Sequence, residues 1–233
     1  MRLPIRLALL GTLAAACPRP AHAQEVGPLS FGANLLFAQP VGEFADNVDF
    51  GFGILGHGML DLGAPGVLGL RLDFGFVNYG NEEVRICITL PCRVTGEITT
   101  SNDILLLGIG PELGTGRGRV RAYTGASVGL AHFSTTSSVD GTDGLGVPFA
   151  QSTNYSDLTF AWRAGPGIEI LLHEGDEALV SLDLAATYHA NGEATYLTKG
   201  DIVDLPDGSV ELHPRKSKTD FWTIGLGVSA AIR

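Results

Sequence analysis

From residue 29 onward, apolar side chains return at every second position in one run after another. Leu29, Phe31, Ala33, Leu35 and Phe37 share one face of the first run, and Ser30, Gly32, Asn34 and Leu36 take the other. A period of two is the period of a β-strand, so each run is a strand whose two faces meet different surroundings. Phe50, Phe52, Ile54, Leu60 and Leu62 stand against Gly51, Gly53, His57 and Asp61, and Leu68, Leu70, Leu72, Phe74 and Phe76 against Arg71, Asp73 and Gly75. Residues 98–113 are strand-like, but Ile104 to Leu107 are apolar on both faces and leave the register open. The second half is cleaner: Ala122 to Leu130, Leu158 to Ile170, Val180 to Tyr188 and Trp222 to Ile232 each set apolar residues against Gly, Ser, Thr or a charge. The total is eight strands.

The connections sort by length. Gly63 to Gly66, Gly114 to Arg119 and His173 to Glu177 are short; Ala38 to Asp49, Tyr79 to Glu97, Ser134 to Ser156 and Ala190 to Lys218 are long and polar. Strict alternation of short turns and long loops predicts an antiparallel up-and-down barrel with all its long loops at one end, the pattern of an outer-membrane barrel. The faces have a sense as well. The non-apolar face is mostly Gly, Ser and Thr with a few charges, a poor greasy core but a good filling for a narrow eight-strand lumen. Composition agrees: only 17% of residues are charged, against about a quarter in soluble domains. Mean hydropathy is positive. After residue 23 no apolar stretch reaches the roughly 18 residues of a spanning helix.

Residues 1–23 read as a secretory signal: Arg2 and Arg6, an apolar stretch from Leu7 to Ala16, and Ala21-His22-Ala23 as the cleavage site. Lipid attachment at Cys17 is the alternative, disfavoured because Leu13 lies one position too far upstream. Cleavage takes three arginines with it, so the net charge of −10 becomes −13 over residues 24–233, which argues against a nucleic-acid partner. Cys87 and Cys92 then remain, and in an exported protein they are expected to form a disulfide.

Gln39-Pro40-Val41-Gly42-Glu43-Phe44 before a glycine-alternating strand, Gly165-Pro166-Gly167, and the closing Gly225-Leu226-Gly227 resemble outer-membrane β-barrels of the OmpA-like transmembrane type. The resemblance covers residues 24–233 and implies an eight-stranded transmembrane barrel, contact with outer-membrane lipid, insertion by a barrel-assembly machinery, extracellular loops and periplasmic termini. The chain departs from that pattern at its close, Ala231-Ile232-Arg233, where many such barrels end in an aromatic residue.

Alternation places Asp61, Arg71, Asp73, Glu112, Arg121, Arg163, Glu169 and Asp183 in the lumen. Eight strands leave room for a salt-bridged filling, whereas water channels need about sixteen, so a structural network is expected over an ion path. His189-Ala190-Asn191 loosely resembles the His-x-Ser-Asn motif of lipid A deacylases without its serine, and His132-Phe133-Ser134 lies on another strand without the asparagine. No catalytic residue, cofactor or metal site is therefore expected. Asp140-Gly141-Thr142-Asp143-Gly144 and Asp201, Asp204 and Asp207 lack the spacing of a calcium loop. Trp162, Tyr188 and Trp222 are expected as membrane-interface anchors. The sequence thus points to a non-enzymatic barrel with a structural or surface-interaction role; a lipid A-modifying enzyme, a narrow pore and a soluble lipocalin-like carrier are the competing functions.

Overall fold

A computed structural model of the chain describes residues 27–87, 91–93, 95–140, 148–205, 207 and 209–233. The signal segment, Cys17 and residues 141–144 of the acidic turn lie outside them. In chain order the strands are β1 (Leu29–Pro40), β2 (Gly51–Asp61), β3 (Leu68–Cys87), β4 (Thr95–Gly114), β5 (Val120–Asp140), β6 (Pro148–Glu174), β7 (Ala178–Asn191), β8 (Glu193–Tyr196), β9 (Ile202–Asp204), β10 (Val210–Leu212), β11 (Arg215–Lys218) and β12 (Phe221–Ile232). β1 to β7 and β12 form one closed antiparallel ring of eight strands, each paired to its neighbour in sequence. β1 closes it against β12, from Ser30 opposite Ala231 to Pro40 opposite Phe221. Closure removes every free sheet edge around the ring, which a structure surrounded by lipid requires.

The outward positions are those the alternation predicts. Phe31, Leu72, Phe74, Phe160, Ile224 and Val228 are each more than half exposed. An apolar surface wrapped around a whole molecule is far beyond the few hundred Å² that soluble monomers show. β1 and β12 carry this belt over 12 residues each, close to the 9–11 residues with which a tilted strand crosses a bilayer. Trp162, Tyr188 and Trp222 lie side by side on it, edge-to-face and tilted, with ring centroids 6.2 and 5.1 Å apart.

The two ends of the ring differ. The short turns share one end with the first and last described residues, where the Gly27 N–H donates to the Ile232 carbonyl. Gly66 makes the tight β2–β3 turn there at a φ of 73°, a conformation that favours glycine. At the opposite, loop end the expected boundaries need correction. The segments 79–97 and 134–156 were expected as loops, yet β3 continues to Cys87, β4 begins at Thr95, β5 runs to Asp140 and β6 starts at Pro148. These four strands stay paired beyond the belt as a projecting sheet. Both faces of that sheet meet water, so Thr and Ser occupy both and no apolar alternation marks it. Roughly eight residues per strand, at about 3.3 Å rise and a barrel tilt near 40°, carry it about 20 Å above the ring. The expected disulfide joins Cys87 to Cys92 at its tip.

The open register of Ile104 to Leu107 is settled by Ile104 lying opposite both Val77 and Phe133. Ile104 and Leu106 point inward, into an apolar cluster that fills the lumen at the loop end with Leu36, Val77, Tyr79, Phe133 and Phe221. Two loop elements complete it: Phe44, from the 3-10 turn Gly42–Phe44, and Tyr196 of β8. The Phe44 ring sits at the centre, 5.3 Å from Tyr196, 5.8 Å from Tyr79, 6.2 Å from Phe133 and 6.4 Å from Phe221. The barrel is therefore stoppered with hydrocarbon at one end and filled with polar groups below.

Candidate functional site: the luminal polar network

The inward faces of β2 to β6 bring opposite charges together in an unbroken order. Arg163 Nη2 lies 3.4 Å from Asp73 Oδ2, and Arg71 Nε donates to Asp73 Oδ1 at 2.7 Å. Arg71 Nη1 donates to Glu112 Oε2 at 2.8 Å, and Arg121 Nη2 to Glu112 Oε1 at 2.6 Å. Arg121 Nη1 then donates to Glu169 Oε2 at 3.1 Å. Arg117 Nη1 lies 3.8 Å from that same oxygen, and its Nη2 lies 3.4 Å from Asp61 Oδ2 and donates to Ser30 Oγ at 3.0 Å. Four guanidiniums and four carboxylates thus alternate from the middle of the lumen to the turn end. Alternation is what burial demands, since each charge taken from water must be met by an opposite one.

Seven of the eight residues expected in the lumen belong to this ion chain. Asp183 stands apart from it, accepting from Asn34 Nδ2 at 2.8 Å and from the Tyr123 hydroxyl at 2.7 Å. Arg117 was not foreseen, because it belongs to a turn, where strand alternation assigns no face. Tyr123 was read only as inward, yet it carries weight here, its ring lying 5.2 Å from the Arg121 guanidinium. Glycines make the room: a side chain at Gly108 would overlap the Arg163 guanidinium, and one at Gly167 would overlap the Tyr123 ring.

Above the ion chain, a cavity of about 50 Å³ is lined by Asn34, Arg163, Ser127, Thr187, His189 and Thr223, among others. Arg163 Nε donates to Ser127 Oγ at 2.7 Å, while its Nη2 and the Asn34 Oδ1 make no hydrogen bond. His189 is buried, its Nε2 3.0 Å from Thr223 Oγ1 and its ring stacked 4.5 Å from Phe221. The other histidine considered for chemistry, His132, lies on the outward face opposite Leu105 and Leu158. Ser134 shares that outward face, so His189 and Ser134 are on opposite sides of the wall.

In the last long loop, the Asp201 carboxylate is taken up by an arginine and a backbone amide. It accepts from Arg215 Nε and Nη2, both at 2.9 Å, and from the Thr198 N–H at 2.8 Å. Burial would raise its carboxyl, but these hydrogen bonds outweigh it and hold the group below the usual carboxylate range. Among the described residues no cluster of His, Cys, Asp and Glu has the makings of a metal site.

No protein-family model and no curated protein matches the chain. Solved structures do. Ail, the attachment invasion locus protein of Yersinia pestis, solved with the heparin analogue sucrose octasulfate, is 12% identical over 88% of this chain and 99% of its own, with a TM-score of 0.42. Neisserial surface protein A is 11% identical over 88% and 98%, TM-score 0.43. The N-terminal β-barrel domain of Pseudomonas aeruginosa OprF is 14% identical over 89% and 99%, TM-score 0.34. The ring of eight antiparallel strands is the fold that the OmpA-like resemblance implies.

Proposed function

We propose that the chain is a non-enzymatic outer-membrane barrel that acts at the cell surface through its loop end, with its termini in the periplasm. The observation that carries this reading is the projecting sheet of β3 to β6, which continues as paired strands past the apolar belt. A barrel that served only to fill the membrane would need no such extension. The luminal ion chain and the Phe44 stopper give the barrel a closed interior, which favours a scaffold over a solute path. The buried His189, paired with Thr223 beneath Phe221, favours a packing role over lipid A hydrolysis.

The partner at the loop end is one that tolerates negative charge. Glu43, Asp46, Asp49, Glu82 and Glu83 all lie in or beside its first two loops. A polyanion such as the heparin analogue seen on Ail is therefore a poor candidate ligand here. Outer-membrane lipid and, during insertion, a barrel-assembly machinery are the other partners.

The test uses intact cells of a Gram-negative host carrying epitope tags at Gly200 in the last loop or Gly175 in a turn. Antibody should reach the tag at Gly200 on intact cells and the tag at Gly175 only after lysis. A second arm trims 81–99 and 136–153 to short turns. Loss of cell adherence with envelope integrity preserved supports the surface-interaction role; unchanged adherence to every surface offered removes it and leaves the structural one.

A further inference from the structure

The lumen-side face of the projecting sheet changes character towards its tip. Strand parity carries that face upward from Ile104 and Phe133 of the stopper. Asn102 stands opposite Thr135, and one level higher Glu82, Thr100, Ser137 and Ser152 form a polar row across four strands. At the next level the row is Val84, Ile98, Val139 and Ala150, all aliphatic. Ile86, opposite Gly96, extends it along β3. The other face of the sheet stays polar at these heights: Glu83, Thr99, Ser138 and Gln151 share one row, and Arg85 stands opposite Glu97.

The row is open to solvent. Val84 is 44% exposed, Ala150 is exposed, and Ile98 and Val139 are partly so. The last loop meets the sheet one level lower, where the Gly200 N–H donates to Glu82 Oε2 at 3.2 Å. A single exposed aliphatic side chain needs no explanation. Four in register on one face, backed by a polar face on the other, make a one-sided apolar strip well above the membrane belt.

We propose that this strip docks a basic amphipathic helix of a partner polypeptide, an inference that rests on the surface-interaction role proposed above. Direction selects a helix. Four strands spaced about 4.8 Å apart make the row about 14 Å long, and it runs across the strands. The β2–β3 pairing ends at Phe52 opposite Asn78, so the edge of β3 above it is free of β2. A strand added at that edge would run along β3 and reach only Val84 and Ile86. A helix laid across the sheet spans the same 14 Å in about nine residues, and its one apolar stripe meets the one apolar row. Charge selects a basic helix. Segments 38–49, 79–97, 134–156 and 190–218 together hold 13 Asp and Glu against six Lys and Arg. Glu82 borders the row directly. A second copy would set this acidic surface against itself, and an anionic lipid surface would be repelled.

The probe is a fluorescent peptide of Leu, Lys and Ala, about 18 residues long so that it is helical alone, with its leucines on one helical stripe. Its controls are the same residues in scrambled order and a version with Glu in place of every Lys. Anisotropy is read against the full chain in phosphatidylcholine nanodiscs, with empty nanodiscs subtracted. The chain should bind the basic helix at least ten-fold more tightly than either control. Val84→Thr, Ile98→Thr and Val139→Thr together keep β-branched side chains in the strands and should erase that preference. Thr99→Ala with Ser138→Ala, on the opposite face, should leave it intact. Val84→Thr alone should weaken the helix several-fold, and it decides if the triple variant loses its sheet. Equal binding of the helix and the scrambled peptide overturns the proposal, as does a preference that survives the triple variant. On cells, the triple variant should lose adherence as the trimmed chain does. Adherence lost on trimming but kept by the triple variant overturns the helix site and leaves the surface role standing; adherence kept by both overturns the two together.

Discussion

Glu112 is the residue on which the luminal ion chain turns, because it answers two guanidiniums at once, Arg71 at 2.8 Å and Arg121 at 2.6 Å. It is 2% exposed, so neither arginine has water to fall back on if the carboxylate is lost. Removing one member of a buried pair costs about 3–5 kcal/mol. Glu112→Gln should accordingly lower the temperature at which the folded barrel converts to the slow-migrating unfolded form on gels. Arg85→Gln serves as the control, since Arg85 and Glu97 lie 3.7 Å apart on the exposed sheet. Pairs of that kind contribute only about 0–1 kcal/mol, so its gel behaviour should match the parent. Asp201 makes a separate prediction. Its carboxyl sits below the usual range in the folded loop, so its stabilisation is complete above the ordinary carboxylate value near about 3.9 and fades as pH falls through the lower folded value. The protection of the Thr198 amide against hydrogen exchange, relative to its intrinsic rate at each pH, should hold down to about pH 4 and fall below it; a fall already at pH 6 would contradict the assignment. At this scale the alternation exposed every strand-borne luminal charge, since parity alone assigns a face. Arg117, Phe44 and Tyr196 were illegible because turns and loops carry no such parity, and only the closed ring shows that they fold into it.

The elements divide into a membrane ring, a stopper and a projecting sheet, and each left a different trace in the sequence. The ring was plain, because lipid on one side and a narrow lumen on the other force the strictest alternation. The stopper was not: small residues and charges on the inward face suggested a polar lumen throughout, while Leu36, Ile104 and Leu106 turn the loop end apolar. The ambiguous run from Ile104 to Leu107 was the trace of that change, apolar on both faces because it meets lipid outside and the aromatic cluster inside. The sheet was hidden because water bathes both of its faces. Phe44→Ala tests the stopper. Losing a fully buried phenylalanine costs about 3–5 kcal/mol, and the loss falls on packing that holds the first and last loops together. The ring has its own pairing and should still give the folded gel form, whereas protease should cut at Gly200 much faster than in the parent. A protected Gly200 would show that the loops are held by other contacts, such as those of Arg215 to Asn47 and Asp201.

For the whole molecule, everything rests on the sense of the alternation. The same strands with their apolar faces turned inward would make a soluble ligand carrier. The ring turns them outward, with Phe31, Leu72 and Phe160 all more than half exposed, and encloses an ion chain that runs from the middle of the lumen to the turn end. In water that surface would drive aggregation; in a bilayer it is the required exterior. The measurement that bears most directly on this is membrane fractionation of the expressed chain, followed by gel mobility of unheated and boiled samples. Recovery in the outer membrane with a heat-dependent shift in mobility is the predicted result. A soluble periplasmic protein that migrates identically before and after boiling would contradict it.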